Sequence, residues 1–497
     1  MRPPNIFWFL TDSICAYHRR DKFSRLPLYD ELAQSGEGFP LEGARSLFPS
    51  TFGAVHSMLT GRFPCYVAPD YAAAPLSGLL PFWREENYLT ALTKAGYQTF
   101  SLVCYEVGHR WLAAVSRPLV DEKAFSGGNQ LEARELKDLL LAFLRKRPLP
   151  QPFVVFVHFR AGDQSVNENL SQIIEFLRQE NLWDPALVLV SSDHGYRTFQ
   201  ETRNPLHFDD IHIGSLRPAA FLKLPGSWKG RFPPRVIEDE LYTIDFWETI
   251  LDLLGIEASH RREARSFKDL LAGRKTPGPR YVRGDAYFCF QPVRRSFVFC
   301  GRYKLNLEDN RRYLVEIRGL EERPLNQPEF IEALNGFYLE TQEIERLRCQ
   351  AFVEEAFKHG FLADLSGRRI LLPRRQFPRL LVETLASLLR KEGNTVVEDL
   401  EKARSQEFDL GILVFNRLTG FGLRRLKREF KRRKIKVQKI VYIDTLLQPV
   451  NLKEGYLPFF WRELKRRRSL LWKRPANSLL WLFYFPVFFN RHLRRFY

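Results

Sequence analysis

Short apolar runs, separated by stretches with helical spacing, set the pattern of residues 1–345 in this 497-residue chain. Each run is almost continuously apolar, which is typical of strands buried on both faces of a parallel sheet. The runs are Ile6–Leu10, Thr99–Cys104, Phe153–His158, Leu187–Ser191 and Ala219–Leu224. Helical spacing over Asn169–Gln179 and Tyr242–Leu254 predicts helices that cover such a sheet. We therefore predict an α/β fold with a mostly parallel sheet sandwiched by helices.

The distribution of charge divides the chain into regions. Lys and Arg number 76 against 58 Asp and Glu, yet residues 361–497 carry 31 against 12 and the remainder 45 against 46. Such a shift indicates a domain boundary near residues 350–365. We assign residues 1–345 to one domain, which ends in a small antiparallel subdomain over 281–320. Residues 361–450 are predicted to form a small Rossmann-like α/β domain, and 451–497 a basic, aromatic tail.

The small domain repeats the strand and helix alternation on a shorter scale. A helix is predicted at Leu380–Leu389, and strands are predicted at Arg369–Leu372, Val396–Val397, Leu410–Phe415 and Val437–Ile443. Its first strand is not followed by the glycine-rich GxGxxG sequence that cradles a dinucleotide, so the pattern predicts no nucleotide cofactor.

Cysteine usage and the first residues indicate the compartment. Six cysteines are scattered without a CxxC pair, which favours free thiols in a reducing compartment. Met1–Pro4 leads at once into the first apolar run, without the pattern of a secretory signal. We therefore expect a cytoplasmic protein.

Polar residues that could bind a metal ion follow two of the apolar runs. Asp12 comes after Phe7–Thr11, and Asp193 and His194 come after Leu187–Ser191. In an open α/β sheet the binding crevice lies beyond the carboxyl ends of the strands. A carboxylate there is costly to desolvate unless a cation or hydrogen-bond donors meet it; a helix N-cap is the alternative for Asp12. Carboxylate beside imidazole favours zinc or manganese, with calcium or magnesium as further options.

A hydroxyl-bearing loop at residues 46–61 offers a nucleophile. Thr51 opens a helical pattern that runs to Leu59. Metal coordination or a helix N-terminus activates a hydroxyl, and Thr51 fits both conditions. The alternative is that Ser50 or Thr51 only caps the helix.

Residues 1–345 resemble the sulfatase and alkaline-phosphatase-like superfamily. The resemblance covers the segment from Asn5 to Asp12, the Ser-Asp-His-Gly sequence at 192–195, and the helix that ends in Leu254-Gly255-Ile256. Leu59-Thr60-Gly61-Arg62-Phe63-Pro64 resembles the family's Leu-Thr-Gly-x-Tyr-Pro. The resemblance implies an alkaline-phosphatase-like fold and a metal-dependent enzyme, with Asp12 as a metal ligand.

Two departures from the sulfatase pattern bear on the chemistry. Thr51 stands where formylglycine sulfatases carry Cys or Ser, and threonine cannot yield that aldehyde. The position resembles the threonine nucleophile of nucleotide pyrophosphatases, phosphoethanolamine transferases and lipoteichoic-acid synthases. Ser13 replaces the second Asp of the sulfatase Asp-Asp pair. Both changes favour phosphate over sulfate. His207 lies about where the superfamily places a histidine, and we predict it as a further ligand, followed by Asp163 and then His158.

The C-terminal region combines basic clusters with a short apolar segment. A basic helix is predicted at 423–433, a second cluster lies at 462–474, and an aromatic run follows at 479–489. That run is shorter than the ~20 apolar residues of a membrane span. Basic and aromatic signals together favour an anchor on an anionic leaflet over nucleic acid, for which no recognition motif is found. The predicted membrane-binding residues are Arg466, Arg467, Arg468, Trp481, Phe485 and Phe488.

Together these features predict a metal-dependent hydrolase or transferase of a phosphate or sulfate ester, peripheral at the inner face of the membrane. Thr51 would form a covalent intermediate, and the metal ligands would be Asp12, Asp193 and His194. The expected substrate is an anionic ester, for which a glycan or lipid is one option. Two alternatives stay open, namely a catalytically degraded scaffold of sulfatase fold and a glycan- or lipid-modifying phosphotransferase.

Overall fold

The computed structural model divides the chain into two compact units. The first comprises Met1–Pro64 and Trp83–Phe337, and the second comprises Cys65–Phe82 and Tyr338–Tyr497. The assignment of residues 1–345, 361–450 and 451–497 to separate domains stays a prediction. The residues that the structure describes are 3–14, 26–63, 87–104, 112, 115–121, 124, 130–146, 149, 151–160, 165–197, 210–258, 263–274, 278–286, 295–308, 311–359, 365–373, 379–414 and 428–443.

The first unit is built around a sheet of seven strands in the order β2-β8-β7-β1-β6-β4-β5. The strands are β1 (Ile6–Thr11), β2 (Phe39–Pro40), β4 (Gln98–Val103), β5 (Arg117–Pro118), β6 (Phe153–Phe159), β7 (Leu187–Ser192) and β8 (Ala220–Lys223). A two-stranded parallel sheet joins β3 (Ala44–Arg45) to β9 (Leu241–Tyr242). All five predicted runs form strands, but β8 pairs antiparallel to β7, so the sheet is parallel only from β7 to β5.

Helices of the first unit cover this sheet. They are α1 (Pro27–Gln34), α2 (Thr51–Thr60), α3 (Tyr88–Lys94), α4 (Ala133–Arg145), α5 (Val166–Gln179), α6 (Ile213–Leu216), α7 (Asp245–Leu254) and α8 (Lys268–Leu271), with a 3-10 turn at Gly226–Trp228. The pattern over Tyr242–Leu254 predicted one helix, whereas Tyr242 lies in β9 and the helix begins at Asp245. The Asp245 carboxylate accepts the backbone N–H of Tyr242 at 3.0 Å and so joins the strand to the helix.

The central strand β1 is apolar throughout because both of its faces are covered. Phe7 and Phe9 point into a core shared with the buried faces of α4 and α5. Trp8 points to the opposite face, where its ring centroid lies 5.2 Å from that of Trp247 in α7. Alternate side chains of a strand leave opposite faces, so burial on both sides requires the continuous apolar run that the sequence shows.

The antiparallel subdomain forms as predicted. Its five strands follow one another in the order of the sequence, as β10 (Tyr281–Ala286), β11 (Arg295–Cys300), β12 (Tyr303–Glu308), β13 (Arg311–Arg318) and β14 (Glu321–Leu325). The backbone N–H of Asp285 donates to the carbonyl oxygen of Leu47 at 3.0 Å, which ties β10 to the loop before Thr51. Helix α9 (Pro328–His359) begins in the first unit and ends in the second.

The second unit has a parallel sheet of four strands in the order β16-β15-β17-β18. Its elements are β15 (Arg369–Leu371), α10 (Arg379–Lys391), β16 (Thr395–Val397), β17 (Glu407–Val414) and β18 (Lys436–Ile443). These match the predicted Rossmann-like alternation. Within the described part of the chain, no helix has the length and apolarity to cross a bilayer.

Candidate metal centre

The register of two parallel strands brings Asp12 and Asp193 together. In the pairing of β1 with β7, Thr11 lies opposite Ser192, and these are the last residues of the two strands. The backbone N–H of Asp193 donates to the carbonyl oxygen of Thr11 at 3.2 Å. The residue that follows each of these strands is an aspartate, so both aspartates leave the sheet at the same edge. Asp193 is fully buried, and the Asp12 side chain is 19% exposed.

The two carboxylate oxygens of Asp193 have different surroundings. Oδ1 accepts the backbone N–H of Ser13 at 3.0 Å and that of His194 at 2.8 Å. Oδ2 is buried and, among the described residues, accepts no hydrogen bond. Burial raises the pKa of Asp193, the nearby imidazole of His194 lowers it, and the charge of Asp12 raises it again. A buried carboxylate oxygen without a donor is costly unless something positive meets it.

His194 presents one ring nitrogen to both carboxylates. Its Nδ1 lies 2.7 Å from the carbonyl oxygen of Gly195. A carbonyl can only accept, so Nδ1 carries the proton, and in the neutral ring Nε2 has a lone pair. That Nε2 lies 3.7 Å from Asp12 Oδ1 and 3.6 Å from Asp193 Oδ2. The backbone carbonyl thus fixes the tautomer that a metal ligand needs.

These three residues fit a divalent cation. One ligand atom from each of Asp12, Asp193 and His194 lies within 4.8 Å of the others. An imidazole lone pair facing two carboxylate oxygens is an unfavourable arrangement until a proton or a cation lies between them. The charges of two carboxylates balance a divalent ion, and the mixed oxygen and nitrogen donors suit a borderline metal. The identity of the metal stays a prediction.

Ser192 and Gly195 hold the segment around the ligands in place. The Ser192 hydroxyl accepts the backbone N–H of Ile14 at 2.8 Å and lies 2.9 Å from the carbonyl oxygens of Thr11 and His194, to either of which it can donate. Position 195 requires glycine because the space beside it is filled: an added Cβ would lie 2.4 Å from the carbonyl oxygen of Gly214. Its backbone is not in the left-handed region, so conformation does not require glycine there. The sequence motif therefore contains two candidate ligands and two structural residues.

One short segment supports both the ligands and the loop that precedes Thr51. The carbonyl oxygen of Ser215 accepts the N–H of Gly195 at 3.0 Å, and that of Leu216 accepts the N–H of Ser46 at 2.7 Å. Ser215 is itself held by its hydroxyl, which donates to Asp210 at 2.6 Å. Adjacent residues of α6 thus anchor the Ser-Asp-His-Gly segment and the loop that precedes Thr51.

Thr51 is the first residue of α2 and is half-buried. Ser50 before it is extended, with φ −146° and ψ 146°, and its side chain makes no capping hydrogen bond in the described part of the loop. The loop is tightly packed: an added Cβ at Gly53 would lie 2.3 Å from the Phe48 ring. The capping role considered for Ser50 is therefore not observed, and Thr51 lies at a helix N-terminus as predicted.

Further ionisable groups surround the cluster. His158 is buried at the end of β6, in register with Leu10, and burial lowers its pKa against the opposing charges of Asp193 and Asp12. Burial likewise raises the pKa of the Cys104 thiol, whose charge partners include Asp12. The Tyr29 hydroxyl lies 3.3 Å from that of Thr11, and its pKa is raised by burial. Periodicity alone did not assign Tyr29 or Cys104 to this edge.

Several predicted site residues lie outside the described residues. These are Asp163 and His207, and the membrane-binding set Arg466, Arg467, Arg468, Trp481, Phe485 and Phe488. Their roles stay predictions. His212, four residues before the end of α6, accepts the N–H of Gly214 at 3.1 Å through Nδ1 and so caps that helix.

The central sheet and the antiparallel subdomain form an α/β fold similar to that of solved structures in the sulfatase and alkaline-phosphatase-like superfamily. The family model described as Sulfatase matches residues 163–256, which include Asp193 and His194. No curated protein matches the sequence.

Solved structures with the same fold support this classification. The phosphonate monoester hydrolase SpPMH from Silicibacter pomeroyi is 15% identical with a TM-score of 0.51, over 70% of this chain and 96% of its own. The 2-O GAG sulfatase BT1596 is 13% identical with a TM-score of 0.53, over 69% and 91%. A protein in the alkaline phosphatase superfamily from Vibrio parahaemolyticus is 15% identical with a TM-score of 0.53, over 70% and 88%. The predicted α/β fold class is confirmed, and the Sulfatase match over residues 163–256 agrees with the predicted resemblance to a superfamily of ester hydrolases.

Proposed function

We propose that the first unit is a metal-dependent hydrolase or transferase of a sulfate or phosphate ester that acts through a covalent intermediate on Thr51. The observation that carries the proposal is the convergence of Asp12, Asp193 and His194 at one edge of the sheet. This donor set suits a divalent cation, and two of its three residues lie within the Sulfatase match.

The position of Thr51 supports its role as the nucleophile. It begins a helix of 10 residues, and the N-terminal backbone N–H groups of a helix stabilise negative charge. The loop before it and the Gly195 segment are anchored on the adjacent residues Leu216 and Ser215. This shared anchor favours a place for Thr51 beside the cluster of ligands.

The reaction then has two balanced halves. The Thr51 oxygen bonds to phosphorus or sulfur, the bond to the ester oxygen breaks, and the alcohol leaves with a proton. Water next cleaves the ester on Thr51, which releases the inorganic anion and restores the hydroxyl; in a transferase a second alcohol takes the place of water. A divalent ion held by Asp12, Asp193 and His194 would neutralise charge on the transferred group. His194 keeps its lone pair available because Gly195 holds the proton on Nδ1.

The substrate class is proposed from the neighbouring structures and from Thr51, and the location from the C-terminal tail. A neighbouring structure is a 2-O GAG sulfatase and another a phosphonate monoester hydrolase, which supports an anionic ester with a glycan as one option. Thr51 in place of Cys or Ser favours phosphate. We further propose that the basic, aromatic tail binds an anionic membrane surface at the cytoplasmic face.

A screen of aryl phosphate monoesters, aryl phosphate diesters and an aryl sulfate tests the activity directly. We expect turnover of at least one ester by the full chain, its loss after treatment with a chelator, and its recovery with Mn²⁺ or Zn²⁺. Turnover that persists without metal would contradict the proposal, as would a protein that binds no divalent ion and turns over none of the esters.

A further inference from the structure

Ser13 has an unusual backbone for a residue with a side chain. Its φ is +65°, in the left-handed region that glycine adopts easily and other residues adopt at a cost. It is 7% exposed and lies directly after Asp12. A buried residue held in this conformation is expected to have a compensating role in the folded protein.

Both donors of Ser13 bond to carboxylates of the candidate metal centre. The hydroxyl donates to Asp12 Oδ1 at 2.6 Å. The backbone N–H donates to Asp193 Oδ1 at 3.0 Å. One residue therefore restrains the side chains of Asp12 and Asp193, which are far apart in sequence.

These two bonds restrain the carboxylate oxygens that could bind a cation. Asp193 Oδ1 is occupied by the N–H groups of Ser13 and His194, so Oδ2 is the oxygen left facing His194 Nε2 at 3.6 Å. Asp12 has greater freedom, because its side chain is 19% exposed. The Ser13 hydroxyl takes one lone pair of Asp12 Oδ1 and fixes the rotation of that carboxylate. A hydroxyl at this position also adds a donor where a carboxylate would add a third negative charge.

We propose that Ser13 is the positioning residue of the metal centre, which orients Asp12 through its hydroxyl and Asp193 through its backbone. This inference rests on the proposed function, because it requires that the cluster binds a divalent ion. Hydrogen-bond partners of metal ligands typically contribute 10- to 100-fold to metal affinity.

The test is titration calorimetry of Mn²⁺ into the metal-free full-length chain and its Ser13→Gly and Ser13→Ala variants. Both variants lack the hydroxyl, but glycine accepts the left-handed backbone and alanine does not. We expect the Kd for Mn²⁺ to rise roughly 10- to 100-fold in both variants. The metal-free Ser13→Gly protein should unfold at or above the temperature of the wild type, and Ser13→Ala below it. Ser405→Gly is the matched control, because Ser405 has φ +58° and lies on the surface of the second unit.

The outcomes separate this proposal from the proposed function. A Kd for Ser13→Gly within about twofold of wild type would overturn the role of Ser13 and leave the metal centre intact. If only Ser13→Ala loses affinity for Mn²⁺, the backbone conformation matters and the hydroxyl does not. If Ser405→Gly loses as much affinity, the effect is not local to the metal centre. Either result contradicts the proposal. A wild-type chain that binds no Mn²⁺ or Zn²⁺ would overturn the metal centre and the role of Ser13 together.

Discussion

Asp193→Asn should stabilise the metal-free protein while abolishing its response to metal. Asparagine can keep its oxygen at the Oδ1 position, where it accepts the N–H groups of Ser13 and His194 at 3.0 and 2.8 Å. Its amide nitrogen then replaces Oδ2, 3.6 Å from the lone pair of His194 Nε2, to which it can donate after a small shift. The substitution removes a buried negative charge and replaces an oxygen that has no donor among the described residues by an amide group that can itself donate.

The magnitude follows from those two changes. A buried polar group without a partner costs about 1–3 kcal/mol, so the metal-free variant should be more stable by about that amount. In a large domain each kcal/mol moves Tm by about 2–4 °C. Saturating metal, at about 100 times its Kd, should stabilise the wild type by about 2.7 kcal/mol and the variant by almost nothing. The two proteins should therefore exchange their order of stability when metal is added.

Differential scanning calorimetry with a chelator and with excess Mn²⁺ measures both effects. Asp138→Asn is the matched control, because Asp138 is 60% exposed on α4 and the same change there should alter neither Tm. A metal-free Asp193→Asn protein that melts several degrees below the wild type would refute the reasoning about the buried carboxylate. A variant that keeps the wild-type response to Mn²⁺ would remove Asp193 from the set of ligands.

Three further predictions concern the nucleophile, a buried glutamate and the tail. Thr51→Ala should lower turnover by ~10³-fold or more and leave the Kd for metal unchanged; loss in Ser50→Ala alone, measured in the same ester assay, would place the nucleophile one residue earlier. Burial raises the pKa of Glu240 from 4.5 to about 7 against the opposing charge of Arg45. The folded state then holds the proton more tightly than the unfolded state, so stability is lost as the pH rises through the folded-state pKa. Relative to Glu240→Gln, the free energy of unfolding of the wild type should fall by up to ~3 kcal/mol from about pH 5 to about pH 8. Urea titrations that show a constant difference between the two proteins would contradict this. Deletion of residues 454–497 should release the chain from anionic vesicles in a flotation assay, since each basic residue contributes about 1 kcal/mol that salt weakens; equal flotation of both proteins, or binding to DNA alone, would exclude a membrane anchor.

The sequence predicted the sheet well because buried parallel strands leave a strong local pattern. Five apolar runs became strands within one or two residues of their expected ends. The same pattern could not predict that β8 runs antiparallel, because direction depends on the connection and not on the run itself. The mixed polarity of the 32-residue helix α9 gave no clear periodicity.

The candidate site was predicted in part for the same reason. Residues directly after adjacent parallel strands must meet at one edge, which is why Asp12, Asp193 and His194 could be grouped from the sequence. The hydrogen bonds of Ser13 could not be predicted from the sequence, because they depend on a left-handed φ that serine rarely adopts. The need for glycine at position 195 could not be predicted either, because it depends on a backbone carbonyl that comes close only in the folded chain.

Metal binding by the purified full-length chain tests the central claim most directly. Elemental analysis and equilibrium dialysis should find a tightly bound divalent ion in the wild type, and reduced occupancy in Asp12→Asn and in His194→Ala. Ester turnover measured on the same samples should fall in proportion to occupancy. Full occupancy in both variants, or turnover that does not change when the metal is removed, would contradict the account.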